Sequence, residues 1–305
     1  MGNTLLTPQT IARQALASLS ETLVMRPLIY TDLSTEFSAR KVGDTVNVRK
    51  PAVFTANKFD RATGIELQNA TEGSIPVKLN QIPDVSFAVT SEELTLDIED
   101  FDTQFLTPAM EAIAQDVDVT LLGLRDEITQ TAGGAAPAGF EWDKPEVLIE
   151  AGRVLDTNKV PTSDRAAIIG PTAKARWTNS EMLKRADQSG STDALRRASV
   201  GRQLFGFDTY WTQNVGQPSA SPATGDPTTE VGMAFHKSAL AFASAPLAVA
   251  PGSFAAVETH QGLSLRVAYQ YDINKKQTVV SVDMLYGVKC LDPSRAVLLK
   301  GADAA

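Results

Sequence analysis

Two short runs of apolar–polar alternation flank a long polar stretch, and that arrangement limits what the chain can become. In "DTVNVRKPAVF" (residues 44–54), Val46 and Val48 alternate with Asn47 and Arg49. In "SIPVKLN" (residues 74–80), Ile75, Val77 and Leu79 alternate with Lys78 and Asn80. A period of two marks a half-buried strand. Between the runs lies "FTANKFDRATGIELQNATEG", polar and glycine-containing, so the whole reads as a long antiparallel hairpin. Half of it, about 20 residues rising ~3.3 Å each, reaches about 60 Å. A compact chain of this length has a radius of gyration of about 19 Å. An isolated two-stranded ribbon is only marginally stable in water, and its unpaired edges invite association. Folding back and remaining a disordered insert are two outcomes; cover by a neighbouring copy is the more economical third. An arm that meets a different surface on the next copy makes a heterologous contact, which propagates into rings or shells.

The remaining composition is that of a globular chain able to bury a sizeable core: 305 residues, 43% hydrophobic and 21% charged, long enough for about two domains. No apolar run approaches the ~18 residues of a membrane helix. The start, "MGNTLLTPQT", has neither signal-peptide regions nor the hydroxyl residue that a myristoylation site at Gly2 needs. A single cysteine, Cys290, precludes an internal disulfide and suits a reducing compartment. The "NAT" sequon at Asn69 has no meaning without secretion. The net charge of −8 argues against a uniformly basic nucleic-acid binder. That charge is uneven. Residues 84–127 carry twelve acids against the single base Arg125, whereas residues 165–202 carry eight bases against Glu181, Asp187 and Asp193. Segments of opposite sign can meet within one chain or between copies; two solvated helix faces are the bland alternative.

Along the chain, Thr7-Pro8 starts a helix with Ile11, Ala15, Leu19 and Leu23 in one narrow stripe, ended by Arg26-Pro27. Such a helix docks on its own domain or on a neighbour's. Thr90 and Glu93 have capping-box spacing for a short helix. Phe105, Ala109, Ile113, Val117, Leu121, Leu124 and Ile128 then predict a long helix over about residues 102–131, on the order of 45 Å. Thr107-Pro108 either restarts or kinks it, making Pro108 a candidate hinge, and Gly133-Gly134 is its expected cap. "GGAAPAG" is a linker to a second domain. Asp143, Pro145 and Glu146 start a helix with Leu148, Ala151 and Leu155 on one side. "AAIIGP" (residues 166–171) is an apolar central strand, followed by basic helices at "TAKARW" and "SEMLKRAD" and an aromatic strand at "FGFDTYWTQNV". "GQPSASPATGDPTTE" reads as an exposed low-complexity loop. The end is a hairpin: Leu263, Leu265, Val267, Tyr269 and Tyr271 alternate, then Val280, Val282, Met284 and Tyr286, with a turn near Asn274-Lys275. There is no internal repeat.

Chemistry-bearing patterns are scarce. His236, His260 and Cys290 leave little for a transition-metal site. "DIEDFD" (residues 97–102) fails as a calcium loop, with Asp102 where glycine is needed and Pro108 where the bidentate Glu belongs; it reads as an acidic helix start. "GLSLR" at Gly262 fails as a nucleophile elbow, "GRQLFG" at Gly201 has wrongly spaced glycines, and "SARK" at Ser38 lacks companion motifs. No catalytic, cofactor-binding or metal-binding residue is assigned and no cofactor is expected. An enzyme using only carboxylates and hydroxyls stays open as an alternative.

The order of parts resembles the bacteriophage major capsid proteins of the Hong Kong 97 fold, with their N-terminal arm, extended β loop, long spine helix, axial domain and return through a final hairpin. The local text is most similar to the coat-protein family of the short-tailed Salmonella phage P-twenty-two. The similar stretches are "NTLLTPQTIARQAL", "KVGDTVNVRKPAVF", "GFDTYWTQNV" and "LRVAYQYD" through "VSVDMLYGVKCLDPSRAVLL", in order over nearly the whole chain. The resemblance implies an α+β capsid fold with an N-terminal arm (1–40), an extended loop (41–86), a peripheral domain with the spine (87–142), an axial domain (143–257) and a return to the peripheral domain (258–305). It implies a major capsid protein that self-assembles from many copies, as hexamers and pentamers, into an icosahedral shell around double-stranded DNA. It further implies a virion location after synthesis in the host bacterial cytoplasm, no membrane, a portal, and a separate scaffolding protein, since no long scaffolding segment precedes the arm.

In that family the extended loop lies across an adjacent subunit. The residues expected at subunit contacts are therefore Phe54, Lys58, Phe59 and Arg61 on the arm, Glu92 and Glu93 at its acidic foot, and Lys184, Arg185, Arg196 and Arg197 on the basic segment. The sequence departs from the P-twenty-two pattern in lacking its large inserted β domain; only the loop over residues 216–230 marks a comparable excursion. Some relatives interlock by a Lys–Asn isopeptide bond, for which Lys58 and Lys78 are the candidate lysines, and no crosslink is expected here. Two alternatives remain: an encapsulin-like compartment shell of the same fold, and a carboxylate-dependent hydrolase with an oligomerisation arm.

Overall fold

Helix α1 (Pro8–Thr22) carries its proline in the first turn, where the missing N–H costs nothing. The structure, a computed structural model, describes residues 8–31, 45–50, 56, 58, 61, 73–90, 105–135, 137–184, 203–260 and 262–304. The buried side of α1 is wider than the expected stripe: Ile11, Ala12, Ala15, Leu16 and Leu19 are all buried, followed by Leu23. Spacings of one, three and four together give the broad face that a core-facing helix needs. That face lies on the chain's own core, so α1 docks at home. The helix stops at Thr22; Arg26-Pro27 instead opens a single 3-10 turn (Arg26–Leu28).

The alternating runs form β1 (Thr45–Lys50) and β2 (Gly73–Lys78), antiparallel, with Val46 opposite Val77 and Val48 opposite Ile75. Strand β3 (Asp84–Thr90) follows and joins a four-stranded antiparallel sheet with β10 (Phe254–His260), β11 (Leu263–Asp272) and β12 (Gln277–Asp283), in the order β10-β11-β12-β3. The register sets apolar rows across one face. Ala256, Val267, Val282 and Val85 make one row, and Phe254, Tyr269, Val280 and Phe87 the next. Strand residues two apart share a face; Val267, Val280 and Val282 of these rows are buried, while Phe254 at the edge of the sheet is 78% exposed. On the other face Arg266 and Asp283 sit opposite one another, bonded at 3.0 and 2.5 Å. The β11–β12 turn falls on residues 273–276, where Asp272 Oδ1 accepts from the Asn274 N–H at 2.9 Å. The expected second hairpin strand breaks at Met284: Tyr286 belongs to a separate strand, β13 (Leu285–Cys290).

The spine is shorter than its apolar pattern suggests. Helix α2 runs only over Thr107–Gly123, with Pro108 in its first turn, and tightens into a 3-10 turn at Leu124–Glu127. Its 17 residues span about 25 Å. Pro108 sits in the first α-helical turn, directly after a π-helical turn at residues 105–106, and residues 102–104 lie outside the described residues. Ala109, Ile113, Val117, Leu121, Leu124 and Ile128 are all buried as expected, but the last two belong to the 3-10 turn and the extended segment after it. Residues 131–132, expected at the helix end, are a short strand, β4 (Thr131–Ala132), parallel to β14 (Ala296–Leu299). Gly133 is no helix cap. It turns the chain at φ 103°, where the Trp142 N–H donates to its carbonyl at 3.0 Å. A Cβ there would come within 2.8 Å of Trp142 and of the Lys300 carbonyl. The expected short helix after Thr90 lies outside the described residues.

The rest of the chain builds a six-stranded mixed sheet in the order β4-β14-β8-β5-β7-β6. Its members include β5 (Arg165–Ile169), β6 (Gln203–Leu204), β7 (Phe207–Trp211) and β8 (Gly232–His236). Strand β5 is central and wholly buried, as its unbroken apolar text predicts. Its two faces divide the core. Ala166 and Ile168, with Met233, Phe235, Ala296 and Leu298, join α1 and α2 in one cluster. Ala167 and Ile169, with Ala234, Val297 and Leu299, face a second cluster covered by α3 (Val147–Thr157) and α4 (Pro171–Thr178). There Leu148, Ala151 and Leu155 present the expected side of α3, and Trp177 of α4 is fully buried, its indole N–H donating to the Trp142 carbonyl at 3.0 Å. Phe205 and Gly206, both at positive φ, make the tight β6–β7 turn. The short helix α5 (Glu181–Lys184) follows α4.

One end of the expected exposed loop is buried instead. Glu230 is 2% exposed, and its carboxylate accepts the Thr172 and Ala173 N–H groups, both at 2.9 Å, at the N-terminus of α4, with the Gln217 amide as a third donor. The otherwise unmatched donors of the helix start thus find a charged acceptor. Gly170 leaves room for it, since a Cβ there would lie 2.6 Å from a carboxylate oxygen.

Leu121 is fully buried on the spine between the two β layers. Leu121→Ala should lower the stability of the unassembled subunit by about 2–5 kcal/mol, measured by urea unfolding; a loss under about 1 kcal/mol would mean that the spine is not central to packing.

Candidate assembly interface

The hairpin grows from a two-stranded ribbon of β9 (Leu240–Ala245) and β13, antiparallel, with Phe242 opposite Val288. Val77 and Leu79 at the foot of β2 pack on Ala241 and Ala243 of β9, with Val48, Leu285 and Tyr30 around them. Gly287 makes this approach possible, because a Cβ at that position would collide with the Lys78 carbonyl. Just beyond the foot, Gln81 bonds along the free side of β13: its N–H donates to the Tyr286 carbonyl at 3.1 Å and its carbonyl accepts the Tyr286 N–H at 3.0 Å. Tyr30 does the same along β9, donating to the Leu240 carbonyl at 3.1 Å and accepting from the Phe242 N–H at 3.0 Å.

The ribbon is in turn fixed to the spine. The Tyr286 side chain is fully buried, and its hydroxyl donates to Asp116 at 2.9 Å and lies 3.0 Å from the Thr120 hydroxyl. Burial, the largest cause, holds this phenol protonated well above the ordinary tyrosine range. Lys289 places its ammonium on both oxygens of Glu127, at 2.9 and 3.0 Å.

Outward from this root, burial falls away. Val77 is fully buried, Ile75 is half-buried, and Ser74 and Gly73 are exposed. Lys58 and Arg61, two of the residues expected at subunit contacts, are exposed, as is Ala56. Lys184 closes α5, its side chain outside the described set. Phe54, Phe59, Glu92, Glu93, Arg185, Arg196 and Arg197 lie outside the described residues, so the structure brings none of the expected contact residues together. The sequence reading did not single out Tyr30, Gln81 or Gly287 as anchors. A lone glycine within a strand pattern signals a close backbone approach, so Gly287 in "LYGVKC" was open to that reading. Tyr30 and Gln81 carry no such local mark.

Where the acid-rich and base-rich segments are described, much of their charge has partners at home. Asp116, Glu127 and Asp84 bond to Tyr286, Lys289 and Ser281. Asp118, 1% exposed on the spine, accepts the Val24 and Met25 N–H groups at 3.2 and 3.1 Å and bonds the Asn214 side chain. One carboxylate thereby ties the turn after α1, the spine and the segment after β7 at the floor of a cleft of about 620 Å³. Burial pushes the Asp118 carboxyl above the usual carboxylate range, against the pull of its hydrogen bonds. Among the bases, Arg165 is buried against Asp156 at 2.6 Å, Lys174 lies 3.5 Å over the Trp211 ring, and Arg176 stacks 4.7 Å from Trp142.

His236 and Cys290 sit in structural surroundings. His236 Nδ1 accepts the Ser238 N–H at 3.2 Å and caps a 3-10 turn, and burial together with Arg295 lowers its basicity. The Cys290 thiol is buried and pushed up to about 11 by burial and by Glu127, so it stays protonated at neutral pH. Among the described residues no three His, Cys, Asp or Glu side chains are placed to hold a metal ion.

The fold is the one found in Hong Kong 97-like phage capsid structures. A structure from Mycobacterium phage Che8 matches with a TM-score of 0.68 at 19% identity, over 90% of this chain and 90% of that one. The capsid of cyanophage P-SCSP1u matches at 0.61 and 14%, over 86% and 85% of the two chains. A virus-like particle from Pyrococcus furiosus matches at 0.51 and 14%, over 96% and 98%. No family model matches the sequence, and no curated protein matches it. Identities this low carry the fold alone.

A carboxyl whose folded pKa lies above its unfolded value binds more protons when folded. Its contribution to stability is fully present below the unfolded pKa and is lost as pH rises through the folded one. The stability of the wild type relative to Asp118→Asn should therefore fall as pH is raised from the acid range to neutrality, measured by urea unfolding of the unassembled subunit. A difference that does not change with pH would show that Asp118 titrates like an exposed carboxyl.

Proposed function

We propose that the chain is a major capsid protein that self-assembles in many copies into an icosahedral shell around a phage double-stranded DNA genome. The observation that carries this reading is the burial gradient along the β1–β2 hairpin, on a fold shared with phage capsids: the root is locked into the subunit and the described residues farther out are solvent-facing. A ribbon of two strands is marginal by itself, and cover from the next subunit supplies what it lacks. Such a contact is heterologous and closes only through repetition.

Within that fold, the similar stretches around "KVGDTVNVRKPAVF" and "LRVAYQYD" support a place among the P-twenty-two-like coat proteins. On this reading residues 1–40 are the N-terminal arm, 41–86 the extended loop, 87–142 and 258–305 the peripheral domain, and 143–257 the axial domain. Phe54, Lys58, Phe59 and Arg61 meet the adjacent subunit. Glu92 and Glu93 face basic surfaces that include Lys184, Arg185, Arg196 and Arg197. A separate scaffolding protein and a portal complete the particle, which is a virion shell made in the host cytoplasm, and the chain performs no catalysis. A protein compartment that encloses cargo is a second reading, favoured by the near full-length match to the Pyrococcus furiosus particle.

Electron microscopy of the purified protein should show closed particles of many copies, with DNA inside those taken from infected cells; enclosed protein would favour the compartment. Excising residues 56–71 should abolish closed particles while leaving a folded subunit, and particles indistinguishable from wild type would reject the interlocking role of the hairpin. Combined Arg196→Glu and Arg197→Glu should lower particle yield, the more so at low salt. An unchanged yield would remove the charge contact.

A further inference from the structure

The β6–β7 turn of the six-stranded layer carries a residue that its backbone disfavours. Phe205 has φ 49° and Gly206 φ 84°, so both central residues are left-handed, as in a type I′ hairpin turn, where Asn-Gly and Asp-Gly are the usual pairs. A bulky side chain at positive φ is an outlier, because its Cβ crowds the following carbonyl oxygen. The other non-glycine residues at positive φ, among those described, are Lys159, Asp164 and Lys276, none of them aromatic. Such a conformation persists where something else compensates for it. The chain's own core does not. Leu204 and Phe207, on either side of the turn, pack in the second large cluster, and Phe207 is 1% exposed. Phe205 belongs to none of the clusters and is 41% exposed. Strand β6 also ends the strand order of the layer, so the ring stands at the outer edge of the sheet.

We infer that Phe205 is kept in this strained turn because its ring packs against a second copy of the chain. One aromatic side chain covers about 150–250 Å², far short of the ~1,200 Å² that a stable pair of proteins buries. It cannot hold a separate partner by itself. It contributes only within a contact made many times over, which the neighbours of a shell subunit provide, and aromatic side chains are the usual anchors at the centre of such contacts. The inference rests on the shell reading and adds a contact residue on the six-stranded layer, away from the β1–β2 hairpin.

Phe205→Asn separates a role in the subunit from a role between subunits. Asn accepts the left-handed backbone, so the unassembled variant should unfold at a urea concentration equal to or above that of the wild type. The yield of closed particles should nevertheless fall about tenfold or more, as for the loss of one interface anchor. A lower urea midpoint, or failure of the variant to fold, would show that the ring serves its own subunit and would overturn the inference. So would an unchanged particle yield, which leaves the shell reading intact. With the photoreactive p-benzoylphenylalanine in place of Phe205, irradiation of the purified full-length chain should join two copies covalently. A wild type that forms no closed particles would count against the shell reading. The crosslink, read in whatever oligomer the chain then forms, would still support this contact, and its absence would overturn it.

Discussion

Backbone groups on the outer edges of a two-stranded ribbon have no partners of their own, and the described residues form two such ribbons. The chain treats them differently. The β9–β13 ribbon is completed on both edges, by Tyr30 and by Gln81, and pinned to the spine through Tyr286 and Lys289. The β1–β2 ribbon, among the described residues, is packed at its foot. A hairpin rooted on these strands is held as firmly as the strands under it. The spine, the four-stranded sheet and the six-stranded layer are the mass against which that root is braced.

Local periodicity carried much of the fold. Val77 and Leu79 against Lys78, and Leu265 and Val267 against Arg266, have the burial that alternation predicts, because a strand's faces are set by its own pleat, whereas Ser264 between Leu263 and Leu265 is buried too. The spine misled for a related reason. Leu124 and Ile128 continue the apolar spacing of α2, yet the backbone beneath them has already changed to a 3-10 turn and then to an extended segment. Consecutive elements that line one core share its pattern, so the pattern marks the core and not the end of the helix. Gly133 was expected to cap a helix and instead turns the chain under Trp142. Glu230 lay within text that reads as loop, and its partners sit 57 and 58 positions upstream. No local rule reaches that far. Most of the residues expected to touch a neighbour lie outside the described part of the chain, and the anchors that are described depend on pairings between distant segments.

The uneven charge suggested acidic and basic surfaces meeting across copies. In the described residues much of that charge is instead spent inside the subunit. Asp118 ties three elements by amide donors, Glu127 bridges to the ribbon, and Arg165 is folded into the core against Asp156 and two carbonyls. Buried groups of this kind specify geometry more than they add stability, since desolvation offsets much of the attraction.

The loop between β7 and β8 is tied down twice. Gln217 and Glu230 join at the start of α4, and Gly225, Asp226 and Thr228 bond to the backbone of Ala302 and Ala304 near the chain's end. Between these knots, residues 219–221 are exposed. A chain gripped at both ends of an exposed bend can lengthen there without disturbing what holds it, and longer loops cost little extra entropy. That bend is where foreign sequence, or a whole additional module, could be carried on this scaffold while the sheet and helix beneath stay as they are.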